Sequence, residues 1–163
     1  MPKKTVLMCT EQVVIKTPFT RIALIFEAGI LRSVDFMTSQ ELRAPKSKQA
    51  CKACQQIHDY CTKQLPDLVF DIELRAQGTS FQKTVWQALR RIPAGQVLSY
   101  GELARQLNTS ARAVGGACRA NPVPLIIPCH RIVAKDGVGG FAGSTEGALV
   151  NIKRRLLEHE GVL

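Results

Sequence analysis

The sequence predicts an α/β first half joined to a mainly helical second half, with the change near Ala76-Gln77-Gly78. Three observations predict it. Strand-forming runs at Phe19–Glu27 and Ile30–Phe36 flank a turn at Ala28-Gly29, the pattern of a hairpin. Phe70, Ile72 and Leu74 alternate with Asp71, Glu73 and Arg75, the period of two that marks a half-buried strand. Beyond Gly78 the apolar spacing becomes helical and two capping boxes appear. The expected units are therefore residues 1–76 and 77–163 of the 163-residue chain.

Each element has a local reason. Gln49–Leu65 reads as a helix ended by Pro66, which cannot continue the hydrogen-bond ladder. Thr79 with Gln82 caps a helix whose Phe81, Val85, Trp86 and Leu89 share one face, so Phe81 and Trp86 read as core anchors; Pro93-Ala94-Gly95 breaks it. Ser99 with Glu102 opens a second helix that buries Leu103 and Leu107. Asn108-Thr109-Ser110 is a polar turn and Ala111–Ala120 a third helix. Two short helices joined by a tight turn fit a helix-turn-helix or a generic helical hairpin. Adjacent Gly115 and Gly116 should cost that third helix roughly 1 kcal/mol each relative to Ala. Such a pair persists where another helix or a nucleic-acid backbone must come close, and Arg112 and Arg119, two turns apart, share a face there.

Composition excludes several classes. With 45% hydrophobic and 21% charged residues the chain is neither disordered nor a coiled coil. Its longest apolar runs fall far short of the roughly 20 residues that cross a bilayer, and no secretory signal follows the first basic residues. A cytoplasmic protein (nuclear in a eukaryote) that does not bind membranes is expected. The net charge is +9, and residues 77–163 carry eleven basic against five acidic side chains. That excess favours a polyanion such as nucleic acid.

Six cysteines without a secretory signal point to reduced thiols. Cys51, Cys54, His58 and Cys61 have ligand-like spacing, but one helix offers poor tetrahedral geometry, so neither a metal nor a cofactor is expected. The strongest chemical signal is Pro128-Cys129-His130-Arg131. A thiol attacks as thiolate, and neighbouring cations raise that population. Successive side chains on a strand point oppositely, so His130 needs a tight turn or a bridging water to take the Cys129 proton. A third group should orient the imidazole, with Glu158 and Glu160 as candidates.

The runs VLSYGELARQL, ARAVGGACRANPVPLIIPCHRIV, GVGGFAG and LLEHEG closely resemble, in this order, the O6-alkylguanine-DNA alkyltransferases. The resemblance covers roughly residues 79–163. It implies a ribonuclease-H-like first domain, a winged helix-turn-helix second domain, and irreversible single-turnover transfer of an alkyl group from flipped-out O6-alkylguanine in duplex DNA. By the same resemblance Cys129 is the acceptor, His130 its base through a water, Glu160 the orienter, and Tyr100 the hydroxyl donor to the leaving guanine. Asn121 braces the active-site loop, and Arg112 is the finger that fills the gap in the duplex. Ala111, Ala113, Gly115, Gly116 and Arg119 belong to the recognition helix in the minor groove. The backbones of Cys129 and Ile132 would accept from the guanine amino group, and that of Phe141-Ala142 would face the alkylated oxygen. A monomer is expected. Phe141 and Ala142 stand where many members carry Tyr and Ser, the Asn108–Ala111 link is shorter than in some relatives, and the Ser144–Asn151 segment is longer. Two other classes fit the residues: a Cys-His-Glu hydrolase or amidase that turns over repeatedly, and a helix-turn-helix regulator without chemistry.

Overall fold

The computed structural model describes residues 9–36, 39–64 and 66–163. The first eight residues, read above for a targeting signal, lie outside this set, as does Leu65, the expected last residue of the first helix. The chain opens with an antiparallel meander, β1 (Thr10–Lys16), β2 (Arg21–Glu27) and β3 (Ile30–Phe36). The expected hairpin is β2–β3. Its turn places both Ala28 (φ 51°) and Gly29 (φ 78°) in the left-handed region, which matches the twist of the flanking strands. β1 was not anticipated, because Thr10–Lys16 holds three adjacent apolar residues rather than an alternation. It pairs in register with β2, Val13 opposite Leu24.

Helix α1 (Lys48–Cys61) covers the sheet with Ala50, Ala53, Ile57, Tyr60 and Cys61, spaced along one face. They pack with Val13, Ile22, Leu24, Phe26, Leu31 and Val34 into one apolar core. Ser47 caps its start, accepting from Ala50 N–H. It ends earlier than expected: Thr62 is the C-cap and Lys63 turns left-handed (φ 57°), so Pro66 is not the terminator. The expected strand at Phe70–Leu74 is reduced to one bridge, Leu31 with Leu74. Its alternation is real, Ile72 being buried between exposed Asp71 and Glu73, but the segment pairs with β3 at that single point.

The second half contains α2 (Ser80–Leu89), α3 (Tyr100–Gln106), α4 (Ala111–Arg119) and α5 (Ala148–His159), with a two-residue parallel pair between β4 (Leu98–Ser99) and β5 (Ile132–Val133). Both expected capping boxes form, Thr79 with Gln82 and Ser99 with Glu102. Trp86 is a core anchor and its indole donates to Ala117 O at 2.8 Å. Phe81 is not: at the first turn of α2 it remains 39% exposed. Between α3 and α4 the chain reverses through left-handed Asn108, with Thr109 N–H donating to Ala104 O, and Ser110 caps α4. Among the described residues no helix is long and apolar enough to cross a membrane.

Candidate active site

The segment that carries Cys129 is pinned before it is chemical. Asn121 Nδ2 donates to Ile127 O at 2.9 Å while its Oδ1 accepts from Val123 N–H, which closes the loop leading to Pro128. Cys129, His130 and Arg131 then form one turn of 3-10 helix, with Arg131 N–H donating to Pro128 O. A tight turn was one of the two arrangements the sequence left open, and this one replaces the alternating side-chain directions of a strand.

His130 is fully buried, and its Nε2 lies 2.9 Å from Glu160 Oε1. Glu160 is the C-cap of α5, so the last turn of that helix delivers the carboxylate. Burial alone would raise the Glu160 carboxyl, but hydrogen bonds from His130, Arg131 and Tyr60 hold it far below the usual carboxylate range. A carboxylate only accepts, so Nε2 carries the hydrogen and Nδ1 is left as the basic nitrogen. Nδ1 is buried and has no hydrogen-bond partner among the described residues. Burial drives His130 toward its neutral form, opposed by Glu160. The other candidate carboxylate, Glu158, is exposed on α5. His159 packs at the end of the first helix, its ring standing edge-on to Phe19 and Tyr60 and its Nε2 donating to Tyr60 O.

Arg131, buried beside them, binds both Glu160 oxygens, Ile92 O at 2.6 Å and Asp67 Oδ1 at 2.7 Å. All three guanidinium nitrogens are thereby engaged, and removing one partner from such a buried pair typically costs about 3–5 kcal/mol.

Cys129 is only 4% exposed, yet it lines a cleft of about 540 Å³. Tyr100 lines the same cleft, as do Arg112, Gly115, Gly116 and Arg119 from one face of α4 and the 139–145 loop opposite. Burial pushes the Cys129 thiol up, while an Asn121 hydrogen bond and the Lys153 charge pull it back down. Tyr100, raised to about 12 by burial, stays protonated as a donor, with its hydroxyl 3.5 Å from Gly140 O.

The two glycines of α4 are explained by this cleft rather than by a packed helix. A Cβ at Gly116 would meet nothing within 4 Å, and one at Gly115 only the Tyr100 ring at 3.9 Å. The opposite wall is tight. A Cβ at Gly140 would lie 2.9 Å from Ser144 O, in a turn where Phe141 and Ser144 exchange backbone hydrogen bonds. Phe141 turns its ring inward against Phe36 of β3, 5.5 Å between centroids, and Ala142 (φ 49°) sits exposed on the rim. Ala111 and Ala113 lie on the first turn of α4 outside the cleft lining. Ile132 is buried behind the wall, where its carbonyl already accepts from Lys153 Nζ at 2.5 Å.

Lys153 is a site residue that the sequence did not single out. It is fully buried in α5, donates to Ile132 O and Gly140 O, and lies 5.8 Å from the Tyr100 ring centre. Burial lowers its ammonium to about 8, opposed by Cys129 and Cys118. A readable signal existed: Lys153 interrupts the apolar stripe Leu149, Ile152, Leu156 of α5.

Residues 80–162 match the family profile described as 6-O-methylguanine DNA methyltransferase, DNA binding domain. Over 147 residues the chain is 34% identical to a methylated-DNA–protein-cysteine methyltransferase of Metallosphaera sedula, covering 90% of each protein. The chain belongs to this family. A methyltransferase of the same name from Salmonella typhimurium is 50% identical over 95 residues, which are 56% of this chain and 53% of that relative. The crystal structure of the Mycobacterium tuberculosis O6-methylguanine methyltransferase matches with a TM-score of 0.78 at 33% identity, over 93% of both chains. A structure of the M. tuberculosis protein in complex with DNA matches with a TM-score of 0.72 at 36% identity over 90% of both. Family membership and the mixed α/β architecture extend into the first half, where the sequence motifs were silent.

The cysteine cluster of α1 lies elsewhere. Cys51, Cys54, His58 and Cys61 line a separate cleft with Ile15 and Pro18, and burial raises the Cys54 and Cys61 thiols to about 11. Among the described residues no group of three or more His, Cys, Asp or Glu is arranged to hold a metal.

Proposed function

We propose that the protein repairs alkylated guanine in duplex DNA by one-way transfer of the alkyl group to Cys129, once per molecule. The observation that carries this reading is a cysteine lining a cleft bounded by a glycine-smooth, arginine-flanked helix and followed directly in sequence by the histidine of a buried His130–Glu160 pair. The finer architecture goes with it: a ribonuclease-H-like unit over residues 1–76 and a winged helix-turn-helix unit over 77–163, acting as a monomer.

In this reading α4 enters the minor groove, where the absence of side chains at Gly115 and Gly116 allows close approach without sequence readout. The target atom is hidden in a stacked duplex, so the base is extruded into the cleft, at a cost of a few kcal/mol. Arg112 occupies the vacancy and offsets part of that cost. His130 Nδ1 takes the Cys129 proton, relayed through a water, and the imidazolium formed is held by Glu160. The thiolate attacks the alkyl carbon in line: the sulfur–carbon bond forms as the carbon–O6 bond breaks, and the electron pair stays on guanine. Tyr100 donates toward the ring as that charge develops, and guanine leaves with one proton for the one the thiol lost. Displacement at saturated carbon needs a strong nucleophile and a stabilised leaving group, and these residues supply both. No step needs a cofactor.

Incubation with duplex containing O6-methylguanine, followed by intact and peptide mass spectrometry, tests the proposal. One added methyl group on the Cys129 peptide is expected. An unmodified protein beside demethylated DNA would point to a hydrolytic enzyme, and unchanged DNA bound by protein to a regulator.

A further inference from the structure

We propose that Tyr60, from the first half of the chain, is a positioning residue for the Cys129–His130–Glu160 set, its hydroxyl fixing how firmly Glu160 holds the imidazole. The inference deepens the reading above and rests on it for the role of His130.

Tyr60 is 1% exposed at the end of α1, and its hydroxyl donates to Glu160 Oε1 at 2.7 Å, the same oxygen that faces His130 Nε2. The contact is held from both sides. His159 donates to Tyr60 O at 2.8 Å and stacks edge-on against its ring, so the ends of α1 and α5 are clamped together next to Glu160. Burial and the adjacent carboxylate push the phenol far up, so it is a permanent donor. The charged groups acting on His130 are Glu160, Arg131 and Lys153, with Cys129 preceding it in sequence, Asp67 reached through Arg131 and Tyr60 through Glu160. Of these groups, among the described residues, Tyr60 and Asp67 come from before residue 80, and Asp67 is partly exposed. Tyr60 is therefore a buried link from the first half of the chain to the carboxylate that holds His130.

The sign follows from charge. A hydrogen bond to a carboxylate stabilises its ionised form and lowers its basicity. Removing the phenol makes Glu160 a stronger acceptor from the imidazolium, so His130 holds its proton to higher pH. The acid limb of Cys129 reactivity then moves upward. A stronger donor at position 60 moves it downward.

The experiment is site-resolved alkylation of Cys129 by iodoacetamide, followed by peptide mass spectrometry across pH. It compares wild type, Tyr60→Phe, and protein with 3-fluorotyrosine at position 60. Val13→Ala, a remote core change in the same half, controls for stability loss. Tyr60→Phe should move the acid limb up by roughly half a pH unit and the fluorinated ring should move it down; Val13→Ala should lower Tm and leave the limb in place. Limbs that coincide in wild type and Tyr60→Phe overturn the assignment, as does an unmoved fluorotyrosine profile, which retains the side-chain shape if Tyr60→Phe does not fold. These shifts in the variants, beside wild-type protein that takes no methyl group from DNA, overturn the alkyl-transfer reading alone.

Discussion

His130 Nε2 and Glu160 Oε1 lie 2.9 Å apart with both side chains at most 1% exposed. The pair joins a 3-10 turn to the end of a helix 30 residues later, so which imidazole nitrogen is left basic is set by tertiary structure. Glu160→Gln keeps the shape and loses the charge that stabilises an imidazolium. The rate of transfer to Cys129 should fall about 100-fold, at the lower end of what general bases contribute. Stopped-flow kinetics on methylated duplex would check it; a loss under threefold would remove Glu160 from the mechanism.

The same pair predicts how stability varies with pH. His130 is depressed in the folded protein, so below its unfolded pKa of about 6.5 the unfolded chain binds a proton that the folded one resists. Glu160 is also depressed, and its contribution is present above the unfolded value of about 4.3 and lost as pH falls below it. Both act in one direction. Tm should decline from about pH 6.5 downward and more steeply below about pH 4.5, and His130→Asn should flatten the upper part of that decline.

Lys153 places a positive charge near the thiol while tying Ile132 O to Gly140 O. Lys153→Met removes that charge and leaves two carbonyls without their donor. The pH at which Cys129 is half-reactive toward iodoacetamide should rise by about one unit. An unchanged profile would assign Lys153 to wall-building alone.

Gly116 separates folding from DNA binding. With nothing within 4 Å of a Cβ there, Gly116→Ala should raise stability, by up to about 1 kcal/mol on helix propensity. If α4 meets DNA through this face, the same variant should bind duplex more weakly. Thermal melts and fluorescence anisotropy decide it, and tighter or equal binding would place DNA elsewhere.

Arg112→Ala should slow repair in duplex far more than reaction with free alkylguanine base, because only the duplex needs a wedge. It should also reduce the salt dependence of duplex binding by about one counterion. Equal losses on both substrates would refute the finger role.

The chemical segment was legible from local sequence because its signals are local. The two capping boxes, the Asn108 turn and the Cys129–His130 adjacency depend on neighbours within a few residues. What sequence missed is what distant chain supplies. Tyr60 reaches Glu160 across 100 residues, and Asp67 reaches Arg131 across 64. No periodicity encodes such contacts. Lys153 looked like one more cation of a basic second half until its ammonium proved buried. Phe81 and the Phe70–Leu74 segment erred oppositely: the right pattern was present, but little packed against the first and only Leu31 paired with the second.

The most direct measurement is the amount of methyl transferred per protein, followed over time with methylated duplex in large excess. The account predicts a rise that stops at one methyl group per molecule, all of it on Cys129, and no transfer in Cys129→Ala. Transfer that continues beyond one per molecule, or that survives in Cys129→Ala, would contradict it.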